Sequence, residues 1–191
     1  MALSIRPEAE RKSLAWMLIP LLIIALVAVT LGVVASRTVR SPYATPFFHL
    51  FFSDALHMKV WLASASLLLG CFQLLTASRI YGLLRFPPPG RFYAIVHRWS
   101  GWTAIVLTLP VAYHCIFLLG LDLHSMDTRV LVHSLLGCGL YGTFISKVLL
   151  VRSSRFPGWA LPVMGGLLFT ILLGLWVTSA LWFFTTFGVG L

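Results

Sequence analysis

The residues with most chemistry to offer in this chain are its histidines. The stretch Tyr113–His133, YHCIFLLGLDLHSMDTRVLVH, carries His114, His124 and His133 across the end of one apolar run, a short loop and the start of the next. His57 and His97 stand near the ends of two further runs, and His49 lies between runs. Imidazole is costly to strand in hydrocarbon, so an ionisable side chain in an apolar run marks a functional site by default. Two neutral imidazoles on facing helices at one depth, with small residues beside them and cations for the propionates, make a b-type haem site. Zinc also takes histidines, but Asp54, Asp122 and Asp127 all fall in loops and no HExxH occurs. There is no GxSxG for a hydrolase, no filter-like run for a channel, and no paired broken helices with midplane charges for a transporter.

The elements that must position these rings follow from composition. At 59% hydrophobic, 10% charged and mean hydropathy +0.95, the 191 residues read as a polytopic membrane protein of one domain. The chain divides into a polar tail at 1–13 and a single transmembrane domain at 14–191. Runs of about 20 apolar residues suffice to cross a bilayer as helices. They fall at about 14–35, 56–78, 97–120, 130–151 and 159–184. The formal charge of +9 does not signal nucleic acid, because the basic residues punctuate the ends of these runs. Placing the N-terminus in the cytoplasm puts ten of the 14 Lys and Arg residues on the inner side, so the positive-inside rule gives N-in, C-out. Bacterial inner membrane is the expected location, with the lipid bilayer as the first partner.

The first run carries no ionisable group, fits a lipid-facing, uncleaved anchor, and contains Pro20 as a kink or a late start. The second opens with His57 and Lys59, and its Ser64, Ser66, Gly70, Gln73 and Thr76 suit close helix contacts. The third opens with HRWSGW and closes with LPVAYHC; a start near Phe92 is as plausible as one at His97. His97 and His114 are 17 residues apart, about 25 Å along a helix but about 100° out of phase, with Pro110 between them. In the fourth, Gly137, Gly139 and Gly142 lie between His133 and Lys147, either clearing room for a flat cofactor or packing a neighbouring helix. An HxxxG spacing recurs at His97–Gly101 and His133–Gly137, each glycine one turn from its ring. The fifth has no histidine; its Met164 reads as packing. Cys71, Cys115 and Cys138 show no CxxC or CxxCH spacing, which excludes covalent c-type haem attachment and a thioredoxin-like motif and argues against a disulfide framework.

Runs 2 to 5 packed as an antiparallel four-helix bundle place run 2 diagonal to run 4. His57 and His133 then share a level, and they are the first choice of axial pair, with His114 able to replace either. Lys59, Arg129 or Arg98 would pair with propionates.

In HRWSGW, and in PVAYHC followed by VLVHSLLG, the sequence resembles the ferric-reductase-like and cytochrome b561-like membrane cytochromes over roughly 50–185. It looks closest to an uncharacterised bacterial family of that group. The resemblance implies a haem-binding bundle that passes electrons, and it points to His114 and His133, then His57, then His97. Lys147 stands where a second ring would complete a two-haem pattern, so one haem is expected rather than two. No flavin or nicotinamide domain is present in the sequence, so an electron-transfer subunit is expected, working between a quinol or partner protein and an acceptor. The competing expectation is a non-catalytic membrane subunit without haem, whose helix-end histidines dock a partner in a larger complex.

Overall fold

The computed structural model describes residues 14–38, 48–84, 90–121 and 127–188. The polar tail, Arg40, Arg85, Asp122 and His124 lie outside the described residues. Among the described residues there are helices and no strands, and five of the helices are long and apolar enough to cross a membrane. We name them α1 (Leu18–Arg37), α2 (Ala55–Ile80), α3 (Arg91–Tyr113), α4 (Thr128–Arg152) and α5 (Ala160–Trp176). The α3 span continues as a π-helical segment over His114–Leu119, and α5 as one over Val177–Leu181 before ending at Phe187.

Local signals explain the ends. Asp54 caps α2, its carboxylate accepting from the Leu56 and His57 amides. Asp127 caps α4 by accepting from Val130 N at 2.8 Å. The α1 span begins at Leu14 with a turn at Met17, and Pro20 sits in the first turn of the regular helix. A missing N–H costs little there, so Pro20 marks a late start rather than a mid-helix kink. Helix α3 begins at Arg91, a turn and a half before His97, behind Gly90.

Neighbouring helices run antiparallel. The start of α3 meets the end of α2 through His97 and Thr76, and the start of α4 meets the end of α5 through Arg129 and Thr178. Helix α2 packs on α3 and on α5, and α4 packs on α5 and more closely still on α1, so α2 to α5 form a four-helix bundle with α2 diagonal to α4 and α1 laid against α4. Helices α3 and α4 touch across a looser seam, through Trp102 on Phe144 and Thr108 on Tyr141.

Helix α1 closes the outside of that seam. Its Ile24 backbone comes so near Gly142 that a Cβ there would lie 2.8 Å from Ile24 Cα, and Ser146 Oγ donates to Pro20 O at 2.9 Å. At its other end Leu121 N donates to Ala35 O. Gly120, with φ of 66°, brings the chain within 3.0 Å of that carbonyl as measured from an added Cβ. Most of α1's remaining surface is apolar and exposed, as lipid contact requires. The anchor is thus also a packing element.

Lipid tails are as apolar as leucine, so small residues and interhelical hydrogen bonds hold the bundle. Gly70 faces Leu172 and Phe169, and Gly174 faces Leu136. Ser66 Oγ reaches Ala104 O at 3.1 Å, and Trp176 Nε1 donates to Ser64 Oγ at 2.9 Å. Each such bond contributes about 0.6 kcal/mol on average.

Candidate cofactor site

The bundle has a basic end, where Arg79, Arg91, Lys147 and Arg152 lie, and a far end, where α2 and α4 begin. Two cavities stack between these ends. The far-end cavity, about 110 Å³, is bordered by His133, Ser134, Gly137, Tyr141, Trp176 and Ser179 among others. The basic-end cavity, about 320 Å³, is bordered by His97, Lys147, Gln73, Gly101, Gly165 and Gly166 among others. Thr108, Leu140 and Leu172 border both and form the wall between them.

Three histidines share one bonding pattern. His133 Nδ1 lies 2.9 Å from Thr178 Oγ1, and that hydroxyl donates its own proton to Gly174 O at 2.7 Å. The hydroxyl therefore accepts, so Nδ1 carries the ring proton and Nε2 is a bare lone pair. His97 repeats the device: Nδ1 lies 2.8 Å from Thr76 Oγ1, which donates to Phe72 O at 3.0 Å. His57 uses a carboxylate instead, its Nδ1 lying 2.6 Å from Asp54 Oδ2. No described residue hydrogen-bonds to any of the three Nε2 atoms. A histidine that ligates a metal through Nε2 commonly has Nδ1–H held in this way.

The expected site residues separate. His133 borders the far-end cavity and His97 the basic-end one. His57 borders neither; it stands at the start of α2, edge-on to Phe183 at 5.3 Å. His114, fully buried at the head of the π-helical segment, also borders neither and packs edge-on to Phe48 at 4.4 Å. Lys59, half-buried, lies within electrostatic reach of both His114 and His133. Arg129 donates to Thr178 O at 2.8 Å and lies over Trp182 at 4.0 Å. Arg98 is exposed on α3 and borders neither cavity. His49 is exposed and bonds locally to Phe52 O.

The glycines divide between the two readings the sequence left open. Gly142 serves the α1 contact. Gly137 borders the far-end cavity, with Leu175 Cδ2 as its nearest neighbour at 3.8 Å from an added Cβ. Gly101 makes room for Gln73, whose Oε1 lies 3.1 Å from where a Cβ would stand, rather than for a flat ligand against His97. Gln73 Nε2 in turn donates to Ser100 Oγ and to His97 O. Met164 is buried with Leu150 and Ala160, away from both cavities.

Sequence reasoning missed Thr178 and read Thr76 only as a packing residue. The available signal was chemical: a buried imidazole needs an acceptor for its second nitrogen, and few polar residues in the adjoining runs can supply one.

A family model described as a family of unknown function, DUF6529, matches residues 17–191. The chain belongs to DUF6529. No curated protein and no solved structure matches it. The match covers helices α1 to α5 and every residue that borders the two cavities, so both lie wholly within the DUF6529 region.

Proposed function

We propose that this chain is a b-type membrane cytochrome, transferring electrons between a quinol or partner protein and an acceptor at the other membrane face. The observation that carries this reading is the shared bonding of His57 and His133: each Nδ1 proton is held and each Nε2 is uncommitted. The donor types suit a haem of the bis-imidazole kind, but only His133 borders the far-end cavity, so the His57 ring would have to turn in from the start of α2 to complete the pair. His133 and His57 would hold it, with His114 at the same end of the bundle as the substitute for either. Lys59 and Arg129 supply positive charge near it, a role that exposed Arg98 is poorly placed to share. At about 110 Å³ the far-end cavity is below the range of about 300–1,000 Å³ usual for small-molecule and cofactor sites, so lining side chains such as Trp176 and Leu175 must give way. When bound, the haem supplies one-electron chemistry; the protein supplies ligation, low dielectric and a fixed imidazole tautomer.

In this reading the basic end faces the cytoplasm, as the charge bias favours, and the membrane is the bacterial inner membrane. A second reading draws on the same bonds. His97–Thr76 and His133–Thr178 each tie two helices together, which is what a haem-free structural or docking subunit would need. A reduced-minus-oxidised spectrum of detergent-purified protein from haem-replete cells, with a pyridine haemochrome assay, separates the two. About one b-type haem per chain is expected; a colourless protein sinks the cytochrome reading.

A further inference from the structure

The basic-end cavity has features that the far-end haem leaves unused. Lys147 borders it and forms no ion pair or hydrogen bond with any described residue. Across the same space stands His97, whose Nδ1 proton is taken by Thr76 and whose Nε2 is therefore an acceptor. Lys147 lies within electrostatic reach of His97. Two other polar groups in this wall are already committed, Gln73 to Ser100 and the His97 carbonyl and Thr108 to Ile105 O and Tyr141, while Ser78 adds a hydroxyl at the basic end. Besides the Ser78 hydroxyl, the cavity thus offers one cationic donor and one neutral acceptor among mostly apolar walls.

A purely anionic head would satisfy Lys147 and leave Nε2 without a proton to accept. A resident cofactor calls for enclosure, but exposed Leu74, Tyr81, Leu83 and Val151 border this cavity, so it opens sideways at the basic end of the helices. The complementary ligand is lipid-soluble, enters laterally, and carries both a hydroxyl that donates and an oxygen that accepts.

We propose that the basic-end cavity binds the head group of a lipid-soluble para-quinol, with one hydroxyl donating to His97 Nε2 and Lys147 Nζ donating to the ring's other oxygen. This inference rests on the electron-transfer reading and names its donor. Oxidation of the quinol to the quinone releases two electrons and two protons. A haem held at the far end would accept these electrons one at a time; the residues of this chain that stand between the two cavities are Thr108, Leu140 and Leu172. The protons leave to water at the basic end. The bilayer brings the quinol, and the tail lies along the exposed apolar rim.

The test is calorimetric titration of the detergent-purified full chain with decylubiquinone, whose carbonyls suit Lys147, and with its quinol form, which suits both groups. Haem content is assayed on the same samples. One site per chain is expected, with the quinol bound more tightly than the quinone. Lys147→Met should weaken both forms at least tenfold, and His97→Phe should weaken the quinol more than the quinone. Because either variant risks misfolding, Gly165→Leu provides a third measurement. An added Cβ at Gly165 meets only Lys147 Cε at 4.0 Å, so the larger side chain can extend into the cavity and block it.

Wild-type protein that binds neither form, or variants that bind as tightly as wild type, would overturn the inference. So would oleate binding at this site in place of the quinol, or a second haem that vanishes in His97→Phe. Failures of the two readings are separable. A colourless chain that binds the quinol with tenfold losses in the variants keeps this site and sinks the haem. A haem-loaded chain that binds no quinol does the reverse.

Discussion

Thr178 Oγ1 accepts the Nδ1 proton of His133 at 2.9 Å across the α4–α5 contact, while the same hydroxyl donates backward to Gly174 O. The threonine has one proton and has already committed it, so it determines which imidazole nitrogen is left bare. Thr178→Val keeps the shape but removes the acceptor, freeing the ring to rotate and change tautomer. We expect a loss of about 10- to 100-fold in haem retention, the usual effect of removing a ligand's supporting partner. Thr178→Ser should restore it. Haem titration of the apoprotein reads the difference, and equal affinity in all three proteins would remove the link between this bond and ligation.

His133→Ala and His57→Ala should each abolish stable haem retention, because each removes a proposed axial nitrogen. His97→Ala should leave close to one haem per chain, since its ring borders the other cavity. Pyridine haemochrome assays on the three purified variants decide this. Haem lost from His97→Ala but kept in His57→Ala would shift the cofactor to the basic end.

Five runs of apolar residues were legible as five spans because length and hydropathy alone fix them. The diagonal placement of α2 and α4 followed from short connections and alternating direction. What stayed hidden were interactions that depend on side-chain meetings between helices. Nothing in Gly142 announces that Ile24, more than a hundred residues earlier, will lie against it. The π-helical segments at His114 and Val177 were equally invisible, although Pro110 hinted at trouble in the first. Histidine positions were plain from the start; that His133 and His97 would each border a cavity while His57 and His114 border neither was not, because it depends on how the helices meet.

Gly142 and Gly139 test the packing role of α1. A Cβ at Gly142 would lie 2.8 Å from the Ile24 backbone, whereas one at Gly139 meets nothing within 4 Å. Backbone cannot yield as a side-chain tip can, so Gly142→Ala should destabilise the α1–α4 contact by about 1–3 kcal/mol, the usual cost of overpacking. Gly139→Ala should be close to neutral. Thermal unfolding in detergent compares them, and matching midpoints would show that α1 is free to move off the seam.

The proposed orientation can be tested directly. Arg79, Arg91, Arg98, Lys147, Arg152 and Arg155 fall at the basic end of the described helices, against Arg37, Lys59 and Arg129 at the other. Basic residues near span ends are retained in the cytoplasm. An alkaline phosphatase fusion in the α4–α5 connection at Ser154 should therefore be inactive, and one after Phe187 active. The opposite pattern would invert the topology and place the proposed quinol site at the outer face.

Asp54 couples helix capping to the His57 ring, and its carboxylate makes the coupling depend on pH. The amide of His57, burial, the His57 ring and the amide of Leu56 act on it together, with the His57 amide bond largest, and the net effect holds the carboxyl below its ordinary value of 3.8. A depressed carboxylate pKa means that the folded chain favours the ionised form. Its stabilisation is complete above the unfolded pKa and is lost as pH falls through the folded one. Asp54→Ala should therefore lower stability by about 1 kcal/mol near neutral pH, the usual cost of losing an N-cap. The gap to wild type should hold steady on mild acidification and narrow only below the ordinary carboxylate value. Unfolding midpoints of both proteins across that range measure it, and a gap that closes at mildly acidic pH would assign the coupling to another group.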